Sequence, residues 1–134
     1  SAKIAQAYDF ITTKEKGFDE PISEGGSNVS GGQKQRLSIA RALVRKPEIY
    51  IFDDSFSALD FKTDAILRKA LKKETTDAIV LIVAQRIGSI MDADKIIVLD
   101  EGKVVGVGKH KELLKTCNVY HEIALSQLTE EELA

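Results

Sequence analysis

The sequence predicts an α/β fold: a mostly parallel sheet with flanking helices. Three observations carry this. Residues 48–53 and 78–83 are short apolar runs, the second with four β-branched side chains, as in strands buried on both faces. Residues 60–73 between them place Ala65, Ile66, Leu67, Ala70 and Leu71 as one side of an amphipathic helix. Another helical pattern precedes the first run, and alternating strands and helices favour a parallel sheet.

In chain order, residues 2–12 carry Ile4, Ala7, Tyr8 and Ile11 at helical spacing. Residues 13–28 are rich in Gly, Ser and charge, contain Pro21, and read as a loop. Residues 32–45 form a helix with Leu37, Ala40, Leu43 and Val44 on its apolar face, which Pro47 stops. Asp60 is a candidate cap for the helix over 60–73. Residues 86–91 suit a short helix. Residues 95–99 and 103–107 are strands joined by Asp100-Glu101-Gly102, a hairpin signal. Two helices follow over 109–116 and 119–128, and the polar residues 130–134 are expected to fray.

Bulk properties narrow the function classes. The chain has 134 residues, enough for one modest domain, with 43% apolar and 30% charged residues. A net charge of −2 gives no pull toward nucleic acid or an anionic membrane. Lys34, Arg36, Arg41, Arg45 and Lys46 could form a nucleic-acid patch or a solvated face. The absence of interleaved aromatics and the acidic balance favour the solvated face. The single cysteine, Cys117, cannot form an internal disulfide and is assigned no chemistry. No apolar run reaches the roughly 18 residues that span a bilayer. His110 and His121 are expected at the surface, and Tyr50 and Phe52 in the core.

The residues 28–43 hold the densest chemistry. Ser30 can cap the helix that follows. Gly31 and Gly32 let backbone approach a ligand or take positive φ. The free N–H groups and positive dipole end of that helix suit a phosphate, and Gln33 adds a side-chain donor. A plain turn that caps a helix is the simpler reading of Ser-Gly-Gly alone. Asp53 ends an apolar strand, at the edge where open α/β sheets bind ligands, and could hold Mg²⁺ through its water.

Together these stretches resemble the ATP-binding cassette family. Residues 28–43 resemble its signature motif, Ile49-Tyr50-Ile51-Phe52-Asp53-Asp54 its Walker B strand, and Ser57-Ala58-Leu59-Asp60 its D-loop. Val83-Ala84-Gln85-Arg86 stands where its switch histidine belongs. The likeness runs along nearly the whole chain and is strongest to the C-terminal part of the nucleotide-binding domain of bacterial multidrug exporters. It implies a partial P-loop NTPase-like (RecA-like) core over 47–134 and a remnant of the helical signature subdomain over 1–46. It also implies ATP and Mg²⁺ as cofactors, a second cassette domain and transmembrane domains as partners, and a place at the cytoplasmic face of a membrane. Residues 23–28 resemble the loop that touches the transmembrane part; a solvated connector is the alternative. In the family each ATP lies between one domain's Walker motifs and the other's signature motif. Ser30, Gly31, Gly32 and Gln33 would thus face the partner's ATP, with Ser57 and Asp60 crossing the interface.

Two positions depart from the family pattern. Asp54 replaces the glutamate that polarises the attacking water, and its carboxylate falls about 1 Å short. A displacement of that size can cost on the order of a hundredfold in rate. Gln85 replaces the histidine that contacts the γ-phosphate; it is neutral and only hydrogen-bonds. The resemblance implies first an ATPase component of an exporter that couples ATP binding and hydrolysis to transmembrane export, with the two departures matching the degenerate half of a heterodimeric pair. A second reading is a non-hydrolytic regulatory half that gives its signature motif to the partner's site. A soluble cassette ATPase acting on ribosomes or DNA is a third reading. The sequence holds no Gly-x-x-x-x-Gly-Lys-[Ser/Thr] phosphate loop. The expectation is therefore of a fragment that is inactive alone, leaves an apolar face and a sheet edge of the strands at 48–53 and 78–83 uncovered, and self-associates to hide that edge.

Overall fold

A computed structural model describes residues 1–129; the frayed end expected of residues 130–134 lies outside them. The chain divides into two compact units, Ser1–Val83 and Ala84–Ala134.

The first unit contains α1 (Tyr8–Thr12), α2 (Gly31–Val44), β1 (Ile49–Asp53), α3 (Phe61–Glu74) and β2 (Ile79–Val83). The helix expected over 2–12 forms only in its second half. Gln6 takes φ of 56°, a left-handed value that ends the preceding turn. Loop 13–28 is ordered by Asn28, whose side chain accepts from Ser23 N (3.1 Å) and Ser23 Oγ (3.0 Å) and donates to Pro21 O (2.9 Å).

Along α2 the buried residues are Ile39 and Leu43, four apart on one face. Val44, expected on that face, is 69% exposed because it lies one residue, about 100°, further round. In α3 the buried stripe is Asp64, Leu67 and Leu71, so the expected Ala65 and Ile66 face outward. Buried Asp64 is paired with Arg68 at 3.0 Å.

β1 and β2 pair in parallel, in register from Ile49↔Ile79 to Asp53↔Val83. The runs are buried on one face only, and the apolar face expected to be uncovered is open. Tyr50 and Phe52 enter a core with Ile39, Leu43, Phe56, Leu67 and Leu71. Ile49, Ile51, Ile79, Leu81 and Val83, on the opposite face by strand alternation, are 52–68% exposed. A two-stranded sheet covered on one side leaves this face open.

The second unit contains α4 (Ile87–Ile90), β3 (Ile96–Asp100), β4 (Lys103–Gly108), α5 (His110–Thr116) and α6 (Asn118–Leu125). β3 and β4 are antiparallel, as the hairpin signal predicts. Their turn puts Glu101 and Gly102 both at positive φ (45° and 76°), the two-residue geometry that matches strand twist. Ile96, Val98, Leu113, Cys117, Tyr120 and Ala124 form the core. His110, expected at the surface, is instead buried. Its Nδ1 lies 2.8 Å from the Tyr120 hydroxyl, which satisfies it inside that core. His121 is exposed, as expected. The α/β class therefore stands, with one small parallel sheet, one hairpin and flanking helices.

Candidate functional site

The site is built at the start of α2. Ser30 is extended (φ −70°, ψ 163°) and caps the helix. Gln33 N donates to Ser30 Oγ at 3.3 Å, and Ser30 N donates to Gln33 Oε1 at 2.9 Å. This reciprocal pair is a capping box, so the Gln33 oxygen serves the helix itself. The donor expected of Gln33 remains at its amide nitrogen, which has no protein acceptor among the described residues. The N–H groups of Gly31 and Gly32 likewise have no protein acceptor among the described residues. Two main-chain donors and one side-chain donor thus stand at the positive end of a 14-residue helix. That donor set fits a phosphate oxygen.

The two glycines differ. Neither has the positive φ that the sequence allowed. A Cβ on Gly31 would meet nothing closer than 3.7 Å, whereas one on Gly32 would lie 2.9 Å from Ala58 O. The close backbone approach that requires Gly32 is therefore to the chain's own loop.

That loop follows β1. Asp53 ends the strand with an exposed side chain, and its carboxylate is a hard oxygen donor of the kind that Mg²⁺ takes. Among the described residues no cluster of three or more metal-ligating side chains forms. Asp54 has φ of 47°, a conformation that aspartate tolerates better than most residues. Its N–H donates to Val83 O at 3.0 Å, which ties the loop to β2. Ser57 Oγ donates toward Asp54 O (3.1 Å) and Asp54 Oδ2 (3.0 Å). Asp60 caps α3 by accepting from Thr63 N at 2.9 Å. Hydrogen bonds from Thr63, first from its side chain and then from its backbone, hold the Asp60 carboxyl below its usual 3.8.

Gln35 was missed by the sequence reading. Its Nε2 donates to Asp54 O and to Ser57 Oγ, both at 3.1 Å, and its Oε1 accepts from Ala58 N at 3.0 Å. The available signal was periodicity: Gly32, Gln35, Ile39 and Leu43 form one helical stripe, in which a glutamine is out of place unless it has a polar partner. Arg36 ties the other side of α2 to the N-terminal segment. It donates to Gln6 O at 2.7 Å and lies 4.8 Å from the centre of the Phe10 ring.

The structure thus brings Ser30, Gly31, Gly32 and Gln33 to one helix end, and joins that helix to Asp54 and Ser57. Gln85 belongs to the second unit, just before α4, with an exposed side chain. There Gln127 Nε2 donates to Gln85 O at 2.8 Å, and Gln127 Oε1 accepts from Ile87 N at 2.9 Å. One amide side chain therefore clips the backbone on both sides of Arg86.

Residues 2–57 match the sequence model of the ABC transporter family. An uncharacterized ABC transporter ATP-binding protein of Mycobacterium tuberculosis is 48% identical over 125 residues, 93% of this chain and 21% of that protein. The chain belongs to the ABC transporter family. The alpha-hemolysin translocation ATP-binding protein HlyB of Escherichia coli is 46% identical over 85% of this ABC chain and 16% of its own length. A bacterial Atm1-family ABC exporter, solved with ATP bound, superposes with a TM-score of 0.89 at 36% identity, over 96% of this chain and 23% of that one. The chain spans about a fifth of the length of the relatives it matches. Among the described residues no helix is long and apolar enough to cross a membrane.

Proposed function

We propose that this chain is part of the ATP-binding component of a membrane exporter. In a pair of such domains it is the half that holds its own nucleotide and hydrolyses it poorly, while completing its partner's site. The carrying observation is the N-terminus of α2. Its capping box is closed on itself, and the Gly31 and Gly32 N–H groups have no protein acceptor among the described residues. On this reading Ser30, Gly31, Gly32 and Gln33 cover the partner's ATP, with Ser57 and Asp60 at the interface. Asp53 holds Mg²⁺ through water, and Asp54 and Gln85 occupy weakened catalytic positions.

The chain's own residues divide the work. The α2 donors bind and orient phosphate oxygens. Asp54 is the group placed to take a proton from an attacking water, but it is one methylene short and its Oδ2 already accepts from Ser57. Gln85 can only hydrogen-bond. Residues 1–46 act as the helical part and 47–134 as the core, at the cytoplasmic face of the membrane beside the transmembrane domains. The 134 residues alone hydrolyse no ATP, lacking a phosphate loop.

The test uses the whole subunit with its partner. Restoring Asp54→Glu with Gln85→His raises the ATPase rate by less than Ser30→Arg lowers it. The opposite ranking refutes the asymmetric reading. For the isolated chain, the open face of Ile49, Ile51, Ile79, Leu81 and Val83 supports self-association with a second copy. Light scattering that gives a clean monomer at high concentration refutes that part.

A further inference from the structure

We propose that Gln35 is a positioning residue. It fastens the loop over residues 54–58 to α2, so that the two elements offered to the partner domain move as one body. The inference rests on the paired reading above and adds to it a connection between its two trans-acting motifs.

Two independent observations support it. The first is the hydrogen bonding of Gln35. A glutamine amide has two N–H donors and a carbonyl oxygen. One donor goes to Asp54 O, the other to Ser57 Oγ, and the oxygen takes Ala58 N–H, all within 3.0–3.1 Å. The bonds also set a direction. Because Gln35 donates to Ser57 Oγ, the single Ser57 proton is turned toward Asp54, where Oδ2 and the carbonyl lie at 3.0 and 3.1 Å. Gln35 therefore orients the Asp54 carboxylate through Ser57 without touching it. The second observation is steric. At Gly32 a Cβ would come within 2.9 Å of Ala58 O, so helix and loop are in backbone contact one turn N-terminal to Gln35.

The consequence concerns which groups can shift separately. The α2 donors lie on the first turn of the helix whose second turn carries Gln35. A nucleotide that pulls on the Gly31 and Gly32 N–H groups pulls on a body that includes Ser57, Ala58 and the Asp54 carbonyl. Loosening Gln35 leaves both motifs chemically intact and allows them to move apart. A misplacement of about 1 Å at a reacting centre can cost on the order of a hundredfold in rate.

The experiment has two arms. In the 134-residue chain, amide exchange is followed residue by residue for Gln35→Ala and Gln35→Glu. Gln35→Ala speeds exchange at Ala58 about five- to tenfold, the worth of one neutral hydrogen bond, while the amides of Phe52 and Leu43 keep their protection. Gln35→Glu keeps the acceptor for Ala58 N–H and loses both donors, so Ala58 stays protected. In the whole subunit paired with its partner, both variants lower kcat for ATP about ten- to a hundredfold and leave KM within about twofold, because the nucleotide-binding groups remain. Unchanged Ala58 exchange in Gln35→Ala overturns the fastening. Faster Ala58 exchange with an unaltered kcat, in a pair that Ser30→Arg inactivates, overturns the coupling and leaves the paired reading standing. If Ser30→Arg is also without effect, the paired reading falls, and the local fastening is then upheld by Ala58 exchange alone.

Discussion

Alanine scanning of Gly31 and Gly32 separates two reasons for a glycine. Either substitution relieves the conformational cost of glycine in a helix, roughly 0.5–1 kcal/mol. At Gly31 the new Cβ meets Ala58 Cβ at 3.7 Å, an ordinary contact, so that gain survives. At Gly32 it would stand 2.9 Å from Ala58 O, about 0.5 Å inside the ordinary contact range. The obstacle is a backbone carbonyl, and the adjoining Ala58 N–H is held by Gln35 at 3.0 Å, so the loop cannot swing aside at no cost. Forcing a methyl into such a contact costs about 1–3 kcal/mol. Gly32→Ala is therefore expected to be less stable than Gly31→Ala by about that amount, since the helix term largely cancels between them. The assay is urea unfolding of the chain, read from NMR signals of Tyr50 and Leu67 so that only the first unit is followed. Adding Gln35→Ala to Gly32→Ala frees the carbonyl to retreat, and the penalty shrinks. A Gly32→Ala chain as stable as the Gly31→Ala chain refutes the claim that the loop excludes a side chain there.

Three further outcomes follow from single contacts. Asp60 has a carboxyl held below 3.8 by Thr63, so its stabilising effect is full above 3.8 and is lost as pH falls through the lower folded value; Asp60→Asn, which still caps, flattens that acid limb in pH-dependent unfolding. Burial raises the Tyr120 hydroxyl above 10.0, so its contribution is present below 10.0 and is lost as pH rises through the folded value. Tyr120→Phe removes that alkaline limb and leaves buried His110 Nδ1 without its 2.8 Å partner, at a cost of about 1–3 kcal/mol in denaturant unfolding. Gln127→Ala frees Gln85 O and Ile87 N–H together, so exchange at Ile87 quickens about five- to tenfold while the β3–β4 hairpin stays protected.

What could be read in the sequence was the short-range part. Ser30 precedes a helical run, Asp60 precedes an amphipathic run, and Asp100-Glu101-Gly102 lies between two β-branched runs; each signal fits within four residues, and each feature formed. The failures are long-range. Val44 and Ile66 are as apolar as their neighbours, and only the position of the sheet decides which side of the helix is covered. His110 looks polar and terminal until Tyr120, ten residues on, turns its hydroxyl to it. The β1–β2 runs are apolar on both faces, and composition records that a residue is apolar, not whether something lies over it.

The signature stretch is where these two kinds of information meet. Its wording points to a ligand, yet part of it serves the fold. Ser30 Oγ and Gln33 Oε1 satisfy each other's backbone. Gly32 is small because Ala58 O is close. The available donors are the N–H groups of Gly31 and Gly32 and the Gln33 amide. At Gly31 a Cβ would make only an ordinary contact, 3.7 Å from Ala58 Cβ. A methyl at Gly31 should therefore be tolerated by the fold, and one at Gly32 should disturb it first. Substitutions at two adjacent glycines of one motif are thus expected to differ in their cost to the fold, a distinction that rests on a loop 26 residues further along the chain.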